Sequence, residues 1–116
     1  MALIRIDDIP VKTIIGVRDA ERKKKQEVLV SIEISYDSSN ASASDDINDA
    51  LDYDLLAKKV VVHVKGSKYF LMEKLAQSIL ELIMREKNVI SAKVTVQKLH
   101  ALPFTKGLFV EVRSDG

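Results

Sequence analysis

A chain of 116 residues and 13.0 kDa has the size of one domain, residues 1–116, and a compact monomer of that mass exposes roughly 6,300 Å². Apolar residues at 47% and charged residues at 30% exclude a disordered chain. Eighteen Lys and Arg against seventeen Asp and Glu leave +1, too little for a global field toward nucleic acid or acidic membranes. Cysteine is absent, which excludes disulfides, thiolate nucleophiles and Cys-ligated zinc, and His63 and His100 are too few for a three-His zinc site. Arg5, Asp7 and Asp8 argue against a signal peptide, and no apolar run approaches the ~20 residues that span a bilayer. A reducing compartment, the cytoplasm, is the expected location.

Ala2 to Val17 reads as extended, with Pro10 marking an edge or a bulge. Arg18 to Gln26 is a polar connection, and Glu27 to Tyr36 alternates with Val28, Val30, Ile32, Ile34 and Tyr36 on one face, the period of a half-buried strand. Asp37 to Asn48, rich in Ser, Asn and Asp, reads as loop. Tyr53, Leu56, Ala57, Val60 and Val64 lie at helical spacing and Gly66 ends that helix. A second helix runs from Phe70 to Lys87 on the stripe Met72, Leu75, Ala76, Ile79 and Ile83, with Ser67 as a candidate cap and Asn88 as a stop. Val89 to Gln97 alternates again with Ile90, Ala92, Val94 and Val96 on the apolar face, Leu99 to Gly107 is irregular, and Leu108, Val110 and Val112 form a last strand. The order ββααββ predicts an α+β fold, an antiparallel sheet with two helices on one face. Its two open edges invite pairing between subunits.

Chemistry tends to sit where such a pattern breaks. Lys98 continues the buried row of Val94 and Val96; it either snorkels to water or loses solvation and becomes a usable acid or base near neutral pH. Glu73, in the first turn of the second helix, either complements the helix dipole or offers a flat heterocycle two acceptor oxygens. Glu21 precedes Arg22, Lys23, Lys24 and Lys25, a run that reads as a solvated loop, a local anion site or a cationic neighbourhood that keeps Glu21 ionised. Tyr53 either starts the first helix's apolar stripe or presents its hydroxyl to a substrate. His63 reads as a packed or surface histidine, while His100 lies in the irregular connection near Lys98. Four glycines are too few for a phosphate loop, a nucleophile elbow or a dinucleotide fingerprint.

These residues fall within four stretches that together resemble the dihydroneopterin aldolase family. Thr13-Ile14-Ile15-Gly16-Val17 with Glu21 resembles its first motif, and Ser44 to Tyr53, SDDINDALDY, its second. Phe70-Leu71-Met72-Glu73-Lys74-Leu75-Ala76 resembles the third, and Val94-Thr95-Val96-Gln97-Lys98 the fourth. The likeness covers nearly the whole chain, in order. Lys98-Leu99-His100-Ala101-Leu102 and Asp45 to Leu51 look closest to the dihydroneopterin triphosphate 2′-epimerase branch.

The resemblance implies the tunnelling fold (T-fold), whose subunits join sheets edge to edge into a barrel, typically a homo-tetramer ring stacked into a homo-octamer with active sites between subunits. It implies that Glu73 anchors a dihydropterin, that Leu71, Met72 and the Leu51–Asp52 backbone wall the ring, and that Lys98, Glu21 and Tyr53, the last from a neighbouring subunit, handle protons. The reaction implied is retro-aldol cleavage of 7,8-dihydroneopterin, 2′-epimerisation, or both, with no metal and no organic cofactor. Nucleic-acid and membrane partners are not expected. A non-catalytic pterin-binding assembly is the alternative from another class.

Overall fold

The computed structural model describes every residue except His100. Strand β1 spans Ala2–Thr13, helix α1 Asp19–Lys23, β2 Gln26–Tyr36, α2 Ser39–Ser44, α3 Tyr53–Lys65, α4 Met72–Met84, β3 Val89–Lys98 and β4 Leu108–Arg113, with a 3-10 turn at Ile47–Asp49. The strands form one antiparallel sheet in the order β1-β2-β3-β4. The expected ββααββ frame is present, because the two amphipathic helices have one large apolar face to cover. Val28, Val30, Ile32, Ile34, Ala92, Val94 and Val96 point from the sheet toward Leu56, Val60 and Val64 of α3 and Leu75, Ile79 and Ile83 of α4. Each such Val, Leu or Ile contributes about 1.5–3 kcal/mol when fully buried.

The connections differ from expectation in four places. The polar link Arg18 to Gln26 contains α1, and the Ser-rich loop contains α2 and the 3-10 turn. Neither short helix buries a residue, so neither has the apolar stripe by which a helix is recognised in a sequence. Asp37 starts α2 by accepting from the Ser39 N–H at 3.1 Å and hydroxyl at 2.6 Å, and Asp45, at φ 56°, closes it. Ser67 does not cap α4; its hydroxyl donates to the Val64 carbonyl at 2.7 Å and meets Thr13 Oγ1 at 3.2 Å. Asn88 takes a left-handed φ of 67° just before β3 rather than at the helix end.

Two side chains read as buried are exposed, for local reasons. Ile90 is 53% exposed because the β2–β3 register shifts: Ser35 pairs Ser91 but Tyr36 pairs Val89, so Ile90 is the extra residue. Tyr53 is 59% exposed, since the buried stripe of α3 begins only at Leu56. Pro10 lies on the edge strand β1, and a bulge precedes it: Asp7 and Asp8 stand between the pairs Ile6–Ile32 and Ile9–Val30, with Asp8 at φ 57° and its N–H donating to Ser31 Oγ at 3.0 Å.

The sheet face away from the helices carries a ladder of charge. Arg5 and Lys93 flank Glu33 at 3.9 and 3.3 Å, and Lys93 and Arg113 flank Glu111 at 3.8 and 2.9 Å, so alternating signs cross all four strands. The outer edges of β1 and β4 have no partner strand among the described residues. The surface of 7379 Å² exceeds that of a compact monomer of this mass. The chain is elongated, 52 × 24 × 20 Å.

Candidate active site

Lys98 ends β3 opposite Val28, on the row that buries Val94 and Val96, and it is only 7% exposed. It does not snorkel to water. Its ammonium donates to Glu21 Oε2, across 77 residues of sequence. The other carboxylate oxygen, Oε1, accepts from the Arg18 N–H at 3.2 Å, which also secures the start of α1. The Lys98 ammonium foremost, then the Arg18 N–H, hold the Glu21 carboxyl below its ordinary 4.5, against the burial that would raise it. The cationic neighbour that keeps Glu21 ionised is therefore Lys98, not the adjacent basic run.

This pairing has a pH signature. A depressed carboxyl contributes stability that is complete above its unfolded value and is lost as pH falls through the lower folded value. Wild-type protein is expected to lose stability on acidification below about pH 4.5. Glu21→Gln removes that part of the dependence, which chemical denaturation across pH 3–7 measures; parallel profiles for the two proteins would contradict the coupling.

Gly16 makes room for the pair. It is buried, at φ 130°, and a Cβ there would overlap the Glu21 carboxylate. Gly16→Ala therefore faces a strained backbone, costing about 1–3 kcal/mol, and also displaces Glu21 from Lys98. Both a lower melting temperature and a fall in turnover are expected; a variant with wild-type melting and turnover would show that the seat is unnecessary.

Arg22 is not a free cation either. Its guanidinium donates to the carbonyls of Gly16 at 3.2 Å, Tyr69 at 3.0 Å and Lys68 at 2.7 Å, and it lies 4.0 Å over the Phe70 ring. It clamps the segment carrying Glu21 to the segment leading into α4. Helix α4 starts after Leu71 with no side-chain cap, and Glu73 stands exposed in its first turn, at the same end of the subunit as Lys98 and Glu21. Leu71 and Phe70 are exposed beside it, at 54% and 60%, whereas Met72 turns into the core. Two cavities flank the ion pair and share Gln26. One of about 340 Å³ includes Lys98 and Leu99, and one of about 520 Å³ includes Glu21 and Ala101.

Tyr53, Leu51 and Asp52 stand elsewhere. Asp52 caps α3, accepting from the Leu55 N–H at 3.1 Å, and Leu51 is buried. Tyr53 lines a cavity of about 430 Å³ with Ile4 and Ile6, at one end of α3; the other end of that helix reaches Ser67, which accepts from Thr13 at 2.9 Å. Thirteen helical residues separate the two ends by about 20 Å. Within one chain, Tyr53 is thus not brought to Lys98 and Glu21. His63 meets Ser78 Oγ at 2.8 Å between the helices, a packed histidine as expected. His100 lies outside the described residues. Gly16, Gln26, Arg18 and the Arg22 clamp are the site features that the residue pattern did not disclose. Glycine scarcity was the one usable signal, since one of only four glycines stands within Ile-Ile-Gly-Val.

An antiparallel ββααββ subunit with a buried Lys–Glu pair at one end of its sheet is a T-fold subunit, and solved T-fold relatives superpose on it closely. The chain belongs to the dihydroneopterin aldolase family (FolB), whose sequence profile matches residues 4–113. It is 36% identical over 103 residues to dihydroneopterin triphosphate 2′-epimerase of Escherichia coli (strain K12), covering 89% of this chain and 86% of that one. It is 34% identical over 98 residues to dihydroneopterin aldolase of the same organism, covering 84% and 80%. The crystal structure of E. coli dihydroneopterin aldolase in complex with neopterin superposes with a TM-score of 0.91 at 31% identity, covering 97% of this chain and 98% of that one.

Proposed function

We propose that this chain, acting as a single domain over 1–116, is a pterin enzyme that cleaves or epimerises the side chain of 7,8-dihydroneopterin. The observation that carries the reading is the Lys98–Glu21 pair, a buried ammonium on a partly buried carboxylate at the end of the sheet, clamped through Arg22 to the segment that leads into α4 and its exposed Glu73. Glu73 is an acceptor-only carboxylate that a helix N-terminus favours in its ionised form, suited to the paired N–H donors of a pterin ring. Leu71 covers one side of the ring.

With the ring so held, the side-chain hydroxyls reach the proton pair. Glu21 keeps unused lone pairs on both oxygens and takes the 2′-hydroxyl proton through one water. The C1′–C2′ bond breaks, its electrons pass into the conjugated ring, and the Lys98 ammonium stabilises the charge that accumulates there. Return of the proton to C1′ gives 6-hydroxymethyl-7,8-dihydropterin and glycolaldehyde. Recombination after the fragment rotates inverts the 2′ centre instead. The ring is the electron sink, so acid/base groups and positioning suffice, with no organic cofactor and no metal.

Tyr53 completes this site from a second copy. The unpaired edges of β1 and β4 are suited to head-to-tail addition of sheets, and a closed ring removes them. That arrangement sets the Leu51–Tyr53 end of one subunit against the Lys98 end of the next, in a homo-tetramer or stacked homo-octamer of the cytoplasm. No helix of the described residues is long and apolar enough to cross a membrane.

Product analysis on 7,8-dihydroneopterin and on its triphosphate tests the reading. Release of glycolaldehyde from the free substrate, or of glycolaldehyde triphosphate from the ester, marks cleavage; a 2′-epimer without either aldehyde marks epimerisation, the second reading, favoured by the likeness to the E. coli epimerase. Neopterin binding with no turnover of either substrate would overturn the enzymatic reading in favour of a pterin-binding assembly.

A further inference from the structure

We propose that Arg22 is a positioning residue: its guanidinium fixes the spacing and angle between Glu73, which grips the ring, and the proton-handling pair Glu21–Lys98. The inference rests on the pterin reading and adds to it a residue whose donors are spent on the chain itself. Glu21 and Glu73 stand on elements that no common packing holds together. Helix α1 buries no residue, and α4 begins after Leu71 with no side chain capping it. A ring held by one carboxylate while a second works on its side chain needs the two at a constant distance, and a misplacement of about 1 Å can cost roughly 100-fold in rate.

The segment leading into α4 is held carbonyl by carbonyl. The Ser67 carbonyl accepts from Thr13 Oγ1 at 2.9 Å, the Lys68 carbonyl from Arg22 Nη2 at 2.7 Å, and the Tyr69 carbonyl from Arg22 Nη1 at 3.0 Å and the Gly16 N–H at 3.4 Å. Every donor comes from the stretch 13–22, which ends β1 and carries Glu21. Nη1 also donates at 3.2 Å to the carbonyl of Gly16, the residue whose missing Cβ seats the Glu21 carboxylate. Two adjacent side chains of α1 therefore tie it in two directions: Glu21 to Lys98 on β3, and Arg22 to the entry of α4. Displacing one tie moves the other. Phe70 covers one face of the guanidinium at 4.0 Å, which holds the fork in its plane. A lysine, with one nitrogen on a flexible stem, cannot reproduce two coplanar donors. Lys23, Lys24 and Lys25 stand exposed, whereas Arg22 is half-buried.

Arg22→Lys tests the role, because it keeps the charge and the Thr13–Ser67 tie but loses the fork. On whichever substrate the wild type turns over, 7,8-dihydroneopterin or its triphosphate, kcat is expected to fall about 10- to 100-fold. Neopterin affinity by calorimetry should stay within about threefold, since Glu73 itself is untouched. A merely structural lesion would weaken binding and turnover alike, so a parallel loss overturns the proposal, as does a kcat within about threefold of wild type. Hydrogen exchange supplies a readout independent of turnover. Amides over 16–22 and 68–75 should exchange faster in the variant, both segments at once, while the paired amides of β2 and β3 keep their protection. Faster exchange in one segment only, or in neither, overturns the coupling. Should Arg22→Lys not fold, Phe70→Leu takes its place, since it removes the stacking face and leaves the hydrogen bonds; kcat should then fall about 3- to 10-fold with the same pattern of exchange, and wild-type values overturn the proposal. Should the wild type turn over neither substrate, the pterin reading fails by itself, and the exchange measurement alone decides whether Arg22 joins the two segments.

Discussion

Lys98→Ala is expected to lower turnover by about 10²–10⁴-fold, the usual contribution of one positioned proton-transfer group, while leaving the fold intact. The side chain ends β3 rather than filling the middle of the core, so its removal opens space at the sheet end, beside Val28, and not among Ile32, Val94 and Ile79. What it does remove is the one cation paired with Glu21 among the described residues. The carboxylate would then sit partly buried with only the Arg18 N–H and Gln26 to support it, and its acidity would drift back toward the ordinary range. Glycolaldehyde release and chromatographic detection of the 2′-epimer measure the loss, with circular dichroism and sizing as controls. Rates within threefold of wild type in a folded protein would remove Lys98 from the mechanism.

Glu73→Gln carries the second large effect. The substitution is nearly isosteric on an exposed first-turn position, so stability should change by less than about 0.5 kcal/mol. Recognition changes more. A carboxylate offers two acceptors to a paired donor edge, whereas an amide offers one acceptor and sets an N–H against the second donor. A hydrogen bond to a charged group contributes about 1.5–3 kcal/mol, so neopterin affinity by calorimetry should fall roughly 10- to 150-fold. Equal affinity for both proteins would show that the ring is held elsewhere.

Where burial dictates pattern, the fold could be read directly. The rows Val28 to Tyr36 and Ala92 to Val96, and the stripe Met72 to Ile83, all face the core as their periods require. Lys98 was visible for the same reason, as a charge at the end of an apolar row. The errors lie where no core face exists. Helices α1 and α2 bury nothing, and they are held by short-range hydrogen bonds that have no periodic signature. Ile90 was misplaced because a bulge is a choice of register, set jointly by two strands 55 residues apart at Ser35 and Ile90, and neither strand alone records it. The partner of Lys98 was nameable only through family likeness, since nothing local to Glu21 points to a residue so distant in the chain. Arg22 could not be told from its neighbours: four successive basic residues look alike in sequence, and only the carbonyls of Gly16, Lys68 and Tyr69, on two separate segments, single it out.

The long span between Glu21 and Lys98 also fixes when the ion pair can form during synthesis. A growing polypeptide can complete the first hairpin and both long helices while Glu21 still lacks its cation, because Lys98 is delivered only when β3 zips onto β2. Until then Glu21 emerges from the ribosome as an ordinary hydrated acid. Truncated or stalled translation products that end before that point lack the Lys98–Glu21 pair, however much of their architecture they retain.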